Sequence, residues 1–254
     1  MRIDELLEMR VEKTPAKPFL TFESQQYTYA ETVAASKRYA NALAEWGVEQ
    51  GDRVALFLQN RPEFLFTMFA NAYLDSITAP SNPEYKASAL RHSLELSQPV
   101  VLVTSEPLLN TAIEAARGTT VEEILVVDDV EDYQSLPALA ANQSTDVTTP
   151  ASDDRAIGLH MYTSGTTGPP KAVECEHRNW TISAIDFQKR MGFTHEDVLF
   201  TALPLFHANA QIYSTLGAAA AGAEVVIYEK FSSSAGGTGV ANTASPSSTR
   251  WGAC

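Results

Sequence analysis

The sequence has no apolar run near the roughly 20 residues that a membrane-spanning helix needs. Its most Ala-rich stretch, Leu216–Ala223, is short, so no transmembrane segment is expected. Cysteine is almost missing. Cys175 and Cys254 stand alone and form neither a disulfide framework nor a zinc signature, which makes a reducing, cytoplasmic location the expectation. The opening MRIDELLEMRVEK is charged and amphipathic. It has no apolar h-region, so no secretory signal is expected there. Positive charge is also scarce: 18 Lys plus Arg face 31 Asp plus Glu, for a formal net charge of −13. Nucleic-acid binders carry basic faces and anionic lipid attracts basic segments, so neither partner is expected. The acidic pairs Glu122–Glu123, Asp128–Asp129 and Asp153–Asp154 lack metal-ligand spacing and read as solvated surface. No metal ligand is therefore assigned. There is no internal repeat.

What is present is an ordinary globular composition, 44% hydrophobic over 254 residues, enough for one large domain or two small ones. Apolar runs of strand length alternate with helical spacing. Asp4–Val11 reads as a helix capped by Asp4. Phe19–Phe22 and Gln26–Tyr29 read as a hairpin, and Ala30–Trp46 as a helix closed by Gly47. Strands are expected at Val54–Leu58, Ile77–Ala79, Val100–Thr104, Ile124–Val127, Ala156–Tyr162, Val198–Ala202 and Val225–Tyr228. Helices are expected from Pro62 and over Ala87–Leu96, Leu108–Arg117, Asn179–Met191 and Ala210–Ala220. The strands are continuously apolar rather than alternating, as strands buried on both faces are. The expected fold is α/β, a layered parallel sheet with helices on both faces. Residues 137–155 are polar and read as a connector. From Ser232 to Cys254, 17 of 23 residues are Ser, Ala, Gly or Thr and Arg250 is the only charge, where the chain average predicts about three acids. Residues 232–254 read as a low-complexity tail.

One stretch carries chemistry. Residues 162–173 read YTSGTTGPPKAV and follow a strand, with a helix expected after them. Ligands in α/β sheets sit at the C-terminal ends of strands. Gly165 and Gly168 allow the backbone to approach a ligand closely. Thr163, Ser164, Thr166 and Thr167 add hydroxyl donors to the backbone N–H groups, a donor array suited to an anion with several oxygens. Lys171 adds a point charge suited to phosphate, and Pro169 and Pro170 stiffen its connection to the cradle. A P-loop would place Gly before the lysine and Ser or Thr after it. Pro170 and Ala172 occupy those positions, so a P-loop kinase is excluded.

The same stretch resembles the phosphate-loop signature of AMP-forming adenylating enzymes, which include the acyl-CoA synthetases, the adenylation domains of peptide synthetases and luciferases. That family usually has Gly where this chain has Ala172. His-Arg-Asn at 177–179 and LPLFHANAQ at 203–211 resemble the family too, the latter its acyl-CoA synthetase branch. GDRVALFLQNRPEFLF (51–66) and APSNPEY (79–85) are weaker matches. The resemblance covers Met1 to about Phe231 and implies the first part of the large N-terminal domain of an acyl-CoA synthetase-like fold. It further implies ATP, Mg²⁺ and coenzyme A as cofactors and a small carboxylic acid as substrate. In such enzymes a carboxylate attacks the α-phosphate of ATP to give an acyl-adenylate and pyrophosphate, and a thiol then displaces AMP. By this resemblance Thr163, Ser164, Gly165, Thr166, Thr167, Gly168 and Lys171 hold the β- and γ-phosphates, and His207 lies near the carboxylate and ATP. His177 reads as a helix-start residue. His92, His160 and His195 have no such context.

The family's later motifs and its C-terminal lid domain are not in the sequence. Loss of charge, periodicity and resemblance coincides near Ser232. The expectation is an N-terminal fragment, out of frame or broken from about residue 234 and inactive alone. Fatty or carnitine-type acids are the expected substrates. An amino-acid-activating domain and a non-catalytic nucleotide- or partner-binding module remain as alternatives.

Overall fold

A computed structural model describes residues 1–163 and 171–229. In chain order the elements are α1 (Ile3–Lys13), β1 (Pro18–Phe22), β2 (Gln25–Thr28), α2 (Tyr29–Glu45), β3 (Arg53–Phe57), α3 (Pro62–Leu74), β4 (Ile77–Pro80), α4 (Ala87–Ser97) and β5 (Val101–Thr104). A short 3-10 turn precedes α5 (Leu109–Ala116). There follow β6 (Glu123–Val126), β7 (Gln134–Ser135), α6 (Leu136–Ala141), β8 (Ile157–Thr163), β9 (Lys171–Glu176), α7 (His177–Met191) and β10 (Val198–Thr201). A π-helical stretch, Ala210–Leu216, runs into α8 (Gly217–Ala221), and β11 is Glu224–Ile227. The chain divides into two compact units. One holds residues 1–33, 60–62 and those from 178 onward; the other holds 34–59 and 63–177.

The second unit is built on a seven-stranded sheet of order β7-β6-β5-β3-β4-β8-β9. Its strands run parallel except β9, which lies antiparallel to β8. The strand β5 is buried at every position and β3 at all but its first, the pattern expected of a covered parallel sheet. Ala55, Phe57, Leu90, Leu94, Leu102, Ala112 and Ala115 form a continuous core between this sheet and α4 and α5. Thus the α/β class expected from the sequence is the class observed, with one antiparallel strand added at the edge.

The first unit carries a four-stranded sheet of order β10-β11-β1-β2. β1 and β11, and β11 and β10, pair in parallel, while β1 and β2 form the expected hairpin. Two long cations tie its parts together. Arg10 on α1 donates to the Ala219 carbonyl (2.7 Å) and to that of Ala220, and Lys17 donates to the carbonyls of His195 and of Gly222 (2.5 Å). The acceptors Ala219, Ala220 and Gly222 are the open carbonyl end of α8, where a positive charge is favoured. The Tyr29 hydroxyl also donates to Ala223 O (2.7 Å). Burial pushes its ionisation well above the ordinary tyrosine range.

Several local expectations change. Asp4 does not cap α1. Arg2 is the N-cap, and the Glu5 carboxylate accepts from its backbone N–H at 2.8 Å. Asp4 lies inside the helix, 6% exposed, bonded to Arg2 Nε at 3.1 Å. Desolvation raises its carboxyl pKa, partly offset by the Arg2 charge. The capping role that suits a short acid has gone to Glu5, three residues after the cap, which supplies one half of a capping box; the Arg2 side chain makes no cap bond. The residues expected as one α-helix over Ala210–Ala220 form a π-helical stretch followed by α8. The expected connector 137–155 begins inside α6. Gly47 does close its helix, with φ +84°, a conformation a Cβ would resist. The low-complexity tail 232–254 lies outside the described residues.

Candidate functional site

The stretch 162–173 begins and ends on two antiparallel paired strands. β8 ends at Thr163 and β9 starts at Lys171, and these two residues are register partners. Ser164, Gly165, Thr166, Thr167 and Gly168 lie outside the described residues. Their two anchors do not. The sequence placed a helix after the loop, at Asn179–Met191; the structure has that helix as α7 and adds the unexpected strand β9 before it. Lys171 is therefore a strand residue, exposed at the start of β9. Ala172, where resemblance led one to expect Gly, pairs with Tyr162 in extended strand and is not among the positive-φ residues. Alanine fits there without strain.

Gly158, His160 and Tyr162 of β8 each contact a residue outside that strand. The Tyr162 hydroxyl donates to Ser93 O on α4 at 3.1 Å, and burial pushes its pKa up to about 12. His160, directly across from Glu174, approaches it at 3.7 Å. Burial nevertheless lowers the His160 pKa, outweighing the carboxylate. His177, the first residue of α7, is 1% exposed, and its Nε2 lies 3.9 Å from Asp75 Oδ1. Its backbone N–H donates to Ala156 O at 3.0 Å. The ring rests directly on Gly158: an added Cβ there would stand 2.9 Å from Cε1. Cys175 is buried, and desolvation pushes its thiol pKa up. Asp75 and Gly158 carried no sequence signal, because neither sits in a chemical motif and both gain meaning only through the His177 ring.

His207 belongs to the first unit, in the segment Leu203–His207 between β10 and the π-helical stretch. Its N–H donates to Pro204 O at 3.0 Å, and its ring lies 4.0 Å, centroid to centroid, from the Phe206 ring. Desolvation lowers its pKa below the ordinary imidazole value, which favours a neutral ring at pH 7 that can accept a hydrogen bond. Asn60 and Gln211, both buried, bond the backbone on its N-terminal side. Among the described residues no group of three or more His, Cys, Asp or Glu gathers to hold a metal ion. No helix among them is long and apolar enough to cross a membrane.

Comparison with known proteins adds a family. A family model described as AMP-binding enzyme matches residues 7–240. A medium/long-chain-fatty-acid–CoA ligase of Mycobacterium tuberculosis, FadD6, is 34% identical over 220 residues, covering 85% of this chain and 36% of the ligase. A crotonobetaine/carnitine–CoA ligase of Salmonella paratyphi A is 34% identical over 245 residues, covering 91% of this chain and 46% of that protein. The chain thus spans roughly a third to a half of the length of these curated relatives. Among solved structures, o-succinylbenzoate coenzyme A synthetase (MenE) of Bacillus subtilis in complex with AMP superposes with a TM-score of 0.80 at 29% identity, covering 93% of this chain and 58% of that one.

Proposed function

Because the chain belongs to the AMP-binding enzyme family, we propose that it is the N-terminal part of an ATP-dependent, AMP-forming acyl-CoA ligase whose hairpin at 162–173 grips the triphosphate. The observation that carries this reading is the pairing of Thr163 with Lys171. That pairing sets a cation and a strand end side by side at the two feet of a segment rich in Gly, Ser and Thr. A segment rich in hydroxyl and N–H donors beside an ammonium suits the charge that develops on a leaving pyrophosphate. In this reading Thr163, Ser164, Gly165, Thr166, Thr167, Gly168 and Lys171 bind the β- and γ-phosphates. His207 stands near the acyl carboxylate and ATP, where its neutral ring can accept or orient a hydrogen bond.

Fatty or carnitine-type acids are the proposed substrates, supported by the names of the two relatives. Mg²⁺ enters as the counter-ion of the triphosphate and coenzyme A as the thiol of the second half-reaction. The described residues supply no donor set for the metal, so no ligand and no step is assigned to it. A reducing, cytoplasmic setting completes the proposal.

Calorimetry with Mg·ATP tests it. The chain is expected to bind, and Lys171→Ala is expected to weaken binding by about tenfold or more, since a hydrogen bond to a charged group contributes about 1.5–3 kcal/mol. Absence of binding, or equal affinity in the variant, overturns the reading.

A further inference from the structure

We infer that Asn60 and Gln211, with Trp180 behind Gln211, are positioning residues that hold the segment Leu203–His207 and so set the place of the His207 imidazole. The inference rests on the reading that gives His207 a place beside the acyl carboxylate. Two side chains, from positions 60 and 211, bond Leu203 and Leu205 within this segment, and a third, Trp180, bonds Gln211. Asn60 Nδ2 donates to Leu203 O at 2.9 Å and to Tyr228 O at 3.0 Å, while its Oδ1 accepts from Leu205 N at 2.7 Å. Gln211 Nε2 donates to Leu205 O at 2.8 Å, and its own backbone N–H reaches His207 O at 3.4 Å. Trp180 Nε1 donates to Gln211 Oε1 at 3.0 Å and fixes the orientation of that amide.

The side-chain bonds hold the chain at Leu203 and Leu205, just before Phe206 and His207, and the Gln211 backbone N–H holds it at His207 O. Asn60 is 4% exposed and Gln211 is fully buried, so each amide end depends on these partners for satisfaction. A buried amide in this position adopts one rotamer and transmits it to the backbone it bonds. Gln211 is also the second residue of the π-helical stretch. Such widened turns are rare and recur at functional sites, and this one brings a residue of the helix back onto the loop before it. The imidazole is left to be oriented by its backbone and by the Phe206 ring, so the precision of the segment becomes the precision of the ring.

The test uses the full chain and the ring signals of its five histidines in a ¹H–¹³C NMR titration, with His207→Gln identifying the His207 peak. The neutral variants Gln211→Met, Asn60→Leu and Trp180→Phe each remove part of the network. Loosening the segment exposes the ring, so its pKa is expected to rise by about 0.3 or more toward the ordinary imidazole value, with the other four histidines unchanged. A network that only stabilises the fold lowers the unfolding midpoint and leaves the His207 titration where it was. That result, in variants whose other histidines titrate as in wild type, overturns the inference. Should Gln211→Met or Asn60→Leu fail to fold, Trp180→Phe decides, because it keeps an aromatic ring and deletes one N–H. Mg·ATP binding by the wild type reports separately on the functional reading: no binding together with a shifted His207 signal removes the function and keeps the positioning.

Discussion

Replacing Gly158 by alanine adds one methyl group where the His177 ring already stands. The new Cβ would lie 2.9 Å from Cε1 and 3.0 Å from both ring nitrogens. Ordinary carbon contacts are about 3.5–4.0 Å, so the ring must retreat by more than half an ångström. It has little room. His177 is 1% exposed, its backbone is bonded to Ala156 O, and Asp75 stands 3.9 Å from Nε2. No flexible side-chain end can absorb the overlap, because the methyl meets the flat of the ring. Overpacking of this kind costs about 1–3 kcal/mol, which for a chain of this size lowers the thermal midpoint by roughly 3–10 °C. The assay is a double-mutant cycle read by urea or thermal unfolding. His177→Ala destabilises by opening a cavity, but in that background Gly158→Ala should be nearly neutral, giving a coupling of about 1–3 kcal/mol. If Gly158→Ala costs nothing in the wild type, or costs the same with and without the ring, the contact does not hold the base of the hairpin and the reasoning fails.

Tyr162 gives a pH signature. Its folded-state pKa is raised by burial from the ordinary tyrosine value of 10.0 to about 12, so between those values the folded chain holds a proton that the unfolded chain has lost. Stability therefore falls as pH rises from about 10 to 12. Tyr162→Phe should show a shallower loss over that window in pH-dependent urea midpoints, and equal slopes would refute the assignment. Arg10→Met deletes the guanidinium bonds to the Ala219 and Ala220 carbonyls. It should cost about 1.5–3 kcal/mol in chemical denaturation, as loss of hydrogen bonds to a charged group does, while a change under 0.5 kcal/mol would mark the contact as incidental.

Much of the layered architecture is legible because buried parallel strands announce themselves. Val54–Leu58 and Val100–Thr104 are unbroken apolar runs, and each falls within two residues of a strand in the sheet centre. β9 was not legible. Lys171, Glu174 and Glu176 are poor strand residues, and Val173 is exposed while Cys175 is buried, so its few apolar positions do not form one face. It is a strand because β8 supplies six pairing partners, a long-range cause that no local pattern reports. β7, two residues long, is invisible for the same reason. The strand before the motif was legible too: it was expected to end at Tyr162, and β8 ends at Thr163. The partner residues were not: Gly158, Asp75, Asn60 and Trp180 act through neighbours distant in sequence, and of these four only Asn60 lies in one of the quoted motif stretches, 51–66.

The pairing of Thr163 with Lys171 has a consequence for how such a turn can vary. Adjacent strands stand about 4.8 Å apart whatever joins them, so the width of the opening belongs to the sheet and not to the residues that bridge it. Substitutions between positions 164 and 170 then leave the spacing of Thr163 and Lys171 as it is, because the ladder between β8 and β9 sets it.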